Sequence, residues 1–270
     1  MTLQSAASDL ALLEAAIREA GALARSLAAK PLEVQSKGPL GPVTNVDFAV
    51  DALLDERLRA ARPDYGWLSE ESPDDPTQRV GKARTFMLDP IDGTGALVSK
   101  SPQWTISIGI VEGESPFAGA IYNPMTDELF LGASGVPATF NGKPTNTTTR
   151  DTLDGARMIG QRFRFTDKRW KMPWPAMDII ERQSIAYRLG LVASGQGDAT
   201  VLFGWKNDWD VAAGLAIVEA AGGRVSDLKG EPLRLNQQIP RTPGVAASGA
   251  ALHPLLIERT SDFPDPRATS

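Results

Sequence analysis

The chain has 270 residues, 42% of them hydrophobic and 23% charged, and a net charge of −5. This is ordinary globular usage, with length enough for one large domain or two lobes around a substantial core. There is no cysteine and a single histidine, His253, so disulfides, thiol nucleophiles and zinc-thiolate sites are excluded and a Ser-His-Asp triad or histidine-rich metal centre is not expected. A metal would have to be held by oxygen, which points to Mg2+, Mn2+ or Ca2+. No basic run or aromatic-basic patch marks a nucleic-acid polymer as partner. The N-terminus has no apolar signal core, and no run is long enough to cross a bilayer. A soluble, cytoplasmic protein with no membrane partner is expected.

Residues 8 to 29 carry Leu10, Leu13, Ile17, Ala20, Ala24 and Leu27 at helical spacing, with Ser8 as the expected cap. Pro31 ends that helix. Gln35 to Val43 contains two Gly-Pro pairs and reads as a loop or mobile hairpin, with Lys37 as its charged member. Thr44 caps a second helix whose stripe is Val46, Val50, Leu53, Leu54 and Leu58, and Asp47 falls in its first turn, where the helix dipole favours a carboxylate. Gly66 to Ser72 reads as a short strand running into Glu70 and Glu71. Neighbouring strand side chains point to opposite faces, so only one of these acids is expected at a given site. Residues 73 to 83 form a loop.

Phe86 to Asp89 reads as a buried strand that ends in the turn Asp89-Pro90-Ile91-Asp92-Gly93-Thr94. Two acids in such a turn make either a solvated turn or a cation site. Strands follow at 104–112, 117–123 and 128–132, with a tight turn at Asn141-Gly142, and their short connections make them antiparallel. The polar stretch Thr145 to Asp154 divides one domain into an N-terminal lobe of about 1–150 and a C-terminal lobe of about 151–260. In the second lobe Ala156 to Gln161 and Ala199 to Phe203 read as strands and Ile185 to Ala193 as a helix. Arg162 to Pro175 reads as a loop pinned by Trp170 and Trp174, with a lid over an anionic substrate as the alternative. Asp208-Trp209-Asp210 opens an apolar helix stopped by Gly222-Gly223. Strands are expected at Arg224 to Asp227 and around Ala246 to Ser248, and residues 261–270 are expected to be a disordered tail.

Asp47, Glu70 or Glu71, Asp89 with Asp92, and Asp210 thus recur at strand ends and helix starts. Each has a local explanation as a helix-start or turn residue. A shared site explains them together, but converging carboxylates repel one another unless a cation joins them. Two Mg2+ ions would remove the repulsion and suit an in-line displacement at phosphorus. The turn Gly93-Thr94-Gly95-Ala96 adds backbone N–H groups for a phosphate, and Thr94 can orient water with Asp47 accepting its proton.

Asp89-Pro-Ile-Asp-Gly-Thr94 resembles the DPxDGT signature of the inositol monophosphatase family. Trp209-Asp210-Val-Ala-Ala-Gly214 with Glu219-Ala-Ala-Gly-Gly223, Glu70-Glu71-Ser72 and Thr44-Asn-Val-Asp47 are similar to that family's remaining elements, in the same order. The resemblance implies an α+β fold, a layered αβαβα sandwich of the inositol monophosphatase and fructose-1,6-bisphosphatase type, forming homodimers and inhibited by lithium. It implies Glu70, Asp89, Asp92, Asp210 and the Ile91 carbonyl as ligands of two or three Mg2+ ions, with Mn2+ able to substitute. Thr94, Asp47 and Glu70 would serve the attacking water, Gly93, Thr94, Ser184 and Asp210 the phosphate or substrate, and Lys37 a mobile loop near the metals.

The chain also departs from the family pattern. Gly95-Ala96-Leu97 follows the signature where a Thr, Lys or Arg and an aromatic are usual. Gln183 replaces the glycine of the substrate loop, and Leu202 falls where inositol-specific members carry glutamate. The spacing from Gly204 to Asp210 looks more like bacterial 3′(2′),5′-bisphosphate nucleotidases. The expected activity is therefore a Mg2+-dependent phosphatase acting on a small phosphorylated metabolite, 3′-phosphoadenosine 5′-phosphate first. Inositol 1-phosphate and histidinol phosphate are the alternatives, and a non-catalytic regulatory or binding member of the fold is the alternative of a different class.

Overall fold

The structure is a computed structural model that describes residues 3–38, 41–166 and 170–263. In chain order the elements are α1 (Leu3–Ala28), β1 (Val34–Ser36), β2 (Pro42–Thr44), α2 (Asn45–Ala61), β3 (Gly66–Ser69), β4 (Arg84–Asp92), α3 (Thr94–Val98), β5 (Thr105–Glu112), β6 (Ser115–Asn123), β7 (Glu128–Ala133), β8 (Val136–Phe140), β9 (Lys143–Pro144), β10 (Arg157–Ile159), α4 (Arg162–Phe165), β11 (Asp178–Ile180), α5 (Ile185–Ala193), β12 (Ala199–Leu202), β13 (Lys206–Asn207), α6 (Asp208–Ala220), β14 (Gly223–Ser226), β15 (Arg241–Thr242), β16 (Val245–Gly249) and α7 (His253–Thr260).

These build five layers. β3 to β9 form a seven-stranded sheet in sequence order, antiparallel except for the parallel pair β3/β4. A five-stranded sheet has the order β11-β10-β12-β16-β14. Strand alternation divides the first sheet's side chains between two cores. Phe86, Leu88, Ile106, Ile108 and Ile110 pack with Leu13, Ile17, Val50 and Leu54 of α1 and α2. Met87, Ile121 and Phe130 face α5 and α6, whose other side meets Ile159, Leu202, Val245 and Ala247 of the second sheet. A third core joins Met158, Val201 and Ala246 to Leu252 and Leu256 at α7. The αβαβα sandwich expected from the resemblance is the fold observed.

α6 shows why the middle layer is so thin. Val211 to Val218 are all buried, as befits a helix covered on both sides. It lies in a trough of three glycines that face one another across β5, β6 and β7: Gly109 pairs with Gly119, and Gly119 with Gly132. A Cβ on Gly119 would stand 2.2 Å from the Ala213 carbonyl oxygen, and one on Gly109 would stand 2.7 Å from Ala212 Cβ. Backbone therefore rests on backbone, which holds the start of α6 close to β4.

Several local expectations need correction. Ser8 is not a cap, because α1 begins at Leu3 and the buried Ala6 extends its apolar stripe backward; the Ser8 hydroxyl accepts from Arg62 instead. The strand at Phe86 runs on through the supposed turn to Asp92. Gln35 to Val43 needs no such correction: of the loop and hairpin readings it takes the hairpin, with β1 and β2 paired antiparallel. Arg162 to Pro175 contains the short helix α4, and Trp170 and Trp174 do anchor it, stacked edge-to-face against each other and against Phe203 and Phe165; Lys168 and Arg169 lie outside the described residues. The chain does not lose order at Ser261. Residues 261 to 263 close α7, with Phe263 packed on Trp170 and Phe203, while 264–270 lie outside the described residues. His253 is structural: Ser226 Oγ lies 2.9 Å from its Nε2, and burial holds its pKa down at about 4. Among the described residues, no helix is long and apolar enough to cross a membrane.

The trough makes a direct prediction. Gly119→Ala should destabilise the fold by about 1–3 kcal/mol, the usual range for overpacking, because its Cβ meets helix backbone that cannot rotate away. Urea unfolding followed by circular dichroism would measure it, and an unchanged midpoint would contradict this packing.

Candidate active site

Three pieces of local structure carry the acids together. β4 is buried from end to end and delivers Asp89 and Asp92. Residues three apart on a regular strand point to opposite faces, but β4 bulges here: Asp89 pairs with Ser107 and Asp92 with Thr105, so three steps on β4 match two on β5. The extra residue turns both acids toward one cavity. Asp89 Oδ1 accepts the Ile91 N–H at 3.0 Å, which stabilises the bulge.

Asp47 and Asp210 arrive by a common device. Each is the third residue of a helix and reaches back to the capping residue. Asp47 Oδ2 accepts from the Thr44 N–H at 2.9 Å and from its hydroxyl at 2.6 Å. Asp210 Oδ2 accepts from the Asn207 N–H at 3.1 Å. These capping boxes fix both carboxylates at helix N-termini, where negative charge is favoured.

Glu70 and Glu71 follow the end of β3, and both reach Lys37: Nζ is 3.3 Å from Glu70 Oε1 and 2.6 Å from Glu71 Oε1. Only one of the pair was expected at the site, and only Glu70 lines the cavity and joins the acid cluster, while Glu71 binds Lys37. Burial pushes Glu71 up to about 7 despite Lys37. Burial also opposes the charge on Lys37, but its bond to Glu71 and the two nearby negative charges hold its pKa above the ordinary value.

The outcome is a cavity of about 430 Å3 lined by Lys37, Glu70, Asp89, Ile91, Asp92 and Thr94, with Asn207, Trp209, Asp210 and Arg241 across from them. Carboxylate oxygens of Glu70, Asp89 and Asp210 all lie within 4.8 Å of one another. Burial and then the charges of Glu70, Asp92 and Asp210 raise Asp89 well above the usual carboxylate range. Burial, Asp92 and Glu70 do the same to Asp210. Burial lifts Asp92 to about 6 against hydrogen bonds from Ser184 and Ala186. An all-oxygen donor set with this excess of negative charge fits a hard divalent cation.

Thr94 Oγ1 lies 3.0 Å from both Asp47 Oδ1 and the Ile91 carbonyl, so its one proton can go to either. Gly93, at φ +99°, turns the chain into α3. The N–H groups of Gly93 and Thr94 have no acceptor among the described residues. Ser184 does not line the cavity. It is fully buried, caps α5 and donates to Asp92 Oδ2 at 2.6 Å, so it sets the position of that acid. Sequence reasoning did not single out Arg241, which joins the cavity because β15 pairs with β13 and sets it opposite Asn207. The two-residue strands involved leave no periodic signal.

The model of the "Inositol monophosphatase family" matches residues 6–264. The inositol-1-monophosphatase of Caulobacter vibrioides is 30% identical over 92% of this chain and 98% of its own length. The 3′(2′),5′-bisphosphate nucleotidase CysQ of Escherichia coli O157:H7 is 32% identical over 76% of this chain and 84% of its own. The solved extragenic suppressor protein suhB of Bartonella henselae superposes with a TM-score of 0.81 at 25% identity, covering 95% of this chain and all of that one. The converging acids, the layered fold and these likenesses agree: the chain belongs to the inositol monophosphatase family of metal-dependent phosphoric monoester hydrolases.

Proposed function

We propose that this phosphatase works with Mg2+ held by Glu70, Asp89, Asp92, Asp210 and the Ile91 carbonyl, and that its substrate is a 3′(2′),5′-bisphosphate nucleotide such as 3′-phosphoadenosine 5′-phosphate. The convergence of Glu70, Asp89 and Asp210 beside the Thr94–Asp47 bond carries the catalytic part of this reading. Bound there, Mg2+ supplies charge neutralisation at phosphate oxygens and makes water more acidic.

The chain's own residues do the positioning. When Thr94 donates to Asp47, its oxygen is free to accept a proton from the attacking water. Burial raises the Asp47 pKa, which makes it a stronger base for that relay than an exposed aspartate. The free N–H groups of Gly93 and Thr94 hold the phosphate. Lys37, tied to Glu70 and Glu71, keeps the β1–β2 hairpin over the cavity.

For the substrate, Leu202 is the supporting observation. It is a buried leucine at the end of β12, so this position offers no carboxylate to sugar hydroxyls. The likeness to the E. coli CysQ nucleotidase points the same way. Inositol 1-phosphate is the second reading, favoured by the fuller coverage of the Caulobacter relative.

With Mg2+ present, phosphate release from adenosine 3′,5′-bisphosphate should outpace release from inositol 1-phosphate, and EDTA should abolish both. Asp89→Asn or Asp210→Asn should lower turnover by at least about a hundredfold while the circular dichroism spectrum stays native. Full activity in EDTA would refute the reading, and a faster rate on inositol 1-phosphate would reassign the substrate.

The metal-free protein should also show a pH signature. Asp92 has a folded pKa of about 6, above the ordinary 3.8, so between those values the native state binds more protons than the unfolded chain. Stability in EDTA should therefore fall as pH rises from about 4 through about 6, and Mg2+ should restore it above that window. Thermal melts across this range test the sign; stability that rises with pH in EDTA would count against an uncompensated acid cluster.

A further inference from the structure

Beyond the acid cavity lies a second one of about 210 Å3 whose lining includes Arg164, Arg188, Lys206, Gln161 and Gln183 and no acidic residue. The two cavities share a wall. In β13, Asn207 lines the acid cavity and Lys206 lines this one. Asp92 accepts hydrogen bonds from Ser184 and Ala186, which alternate along the chain with Gln183 and Ile185 of the second lining.

The three cations have no carboxylate partner within 4 Å among the described residues, although the rest of the chain pairs its buried arginines with acids, as in Arg79–Asp74 and Arg84–Asp9. Arg188 is only 7% exposed. Its Nε and Nη2 donate to the carbonyls of Arg182 and Gln183, and its Nη1 has no acceptor among the described residues. Lys206 Nζ is held by the carbonyls of Phe203 and Trp205 at 2.8 and 3.0 Å. Arg164 is steered by the faces of Phe163 and Phe203, with its guanidinium carbon 4.9 and 5.9 Å from the ring centres. Burial, together with the charges of Arg164 and Arg188, draws the Lys206 pKa down although Asp210 opposes it. Backbone carbonyls and aromatic faces orient these groups without neutralising them, and Asp92 and Glu181 near Arg188 and Asp210 near Lys206 offset part of the charge from beyond ion-pair distance. Like charges gathered in a concave, partly dry site leave room for an anion.

We propose that this cavity is a second-phosphate subsite: Arg164, Arg188 and Lys206 bind a phosphate that the substrate carries in addition to the one hydrolysed at the acid cavity. The proposal rests on the reading of the acid cavity as the phosphatase centre. It makes these three residues the determinants of preference for bisphosphorylated over monophosphorylated metabolites. Two phosphate-to-guanidinium or phosphate-to-ammonium contacts of the charge-assisted kind suffice for a preference of about a hundredfold.

Two substrate pairs test it: adenosine 3′,5′-bisphosphate against adenosine 3′-monophosphate, and inositol 1,4-bisphosphate against inositol 1-phosphate. The wild-type protein should show a kcat/KM ratio of about a hundredfold in favour of the second phosphate in at least one pair, and that pair names the scaffold. Arg164→Gln and Lys206→Gln should each reduce the ratio about tenfold; Arg188, buried within α5, is kept so that folding is not at stake. No preference in either pair, or variants that slow both members of a pair equally, would overturn the proposal. Calorimetric titration of adenosine 5′-monophosphate into the metal-free protein reads the subsite without turnover. Affinity at least about tenfold above that of adenosine, lost in both variants, supports the subsite, and equal affinities refute it. Should no substrate release phosphate with Mg2+, the phosphatase reading fails and this titration alone decides the subsite.

Discussion

Glu70, Asp89 and Asp210 are held within 4.8 Å of one another in a largely buried cavity, with Asp92 and Asp47 beside them. Like charges at that range repel strongly, and burial worsens the repulsion because little water screens it. The fold therefore spends structure on forcing together groups that would separate if free. Lys37 is the cation that contacts this cluster directly, and it divides itself between Glu70 and Glu71. In the proposed function, the remaining negative charge is what draws a divalent cation and, through that cation, a phosphate that the acids alone would reject.

The means of enforcement are local and repeated. A bulge in a fully buried strand turns Asp89 and Asp92 to one side. Two capping boxes place Asp47 and Asp210 at the third position of α2 and α6, where the helix dipole offsets part of the repulsion. The glycine row Gly109, Gly119 and Gly132 lets α6 lie directly on the sheet that carries Asp89. Packing of the middle layer and assembly of the site are thus one constraint, and a methyl group in the trough acts on both. On the far side of Asp92 the charge changes sign, with Arg188 and Lys206 oriented by carbonyls and forming no ion pair among the described residues. The site joins a negative half that needs a cation to a positive half that needs an anion, which suits a substrate with phosphates at two positions.

Much of this was legible in the chain. Thr44 and Asp47 announced a capped helix, the run from Thr105 to Gly132 announced antiparallel strands, and the acids marked their own convergence. Position-specific roles were harder to read. Ser184 resembles a substrate contact by motif, yet its hydroxyl serves Asp92 from a buried position, because side-chain direction at a helix cap depends on tertiary packing. Of Glu70 and Glu71 only Glu70 lines the cavity, as the alternation of neighbouring side chains led one to expect, although both reach Lys37. Gly109, Gly119 and Gly132 did carry a signal, since glycine inside a strand marks close backbone approach, but their partners are a hundred positions or so away and only pairing reveals the row. Arg188 and Lys206 look like ordinary cations until the three-dimensional structure shows that, among the described residues, no carboxylate comes within ion-pair distance of either, although Asp92, Glu181 and Asp210 act on them from farther off.

The central claim is that the clustered acids are a cation site. Its most direct measurement is anomalous diffraction from crystals of the full chain soaked in Mn2+, which scatters anomalously where Mg2+ does not. The account predicts a strong anomalous peak between the carboxylates of Glu70, Asp89 and Asp210 that disappears in Asp89→Asn. A Mn2+ soak that leaves this cavity without a peak, or a peak that persists unchanged in the variant, would contradict it.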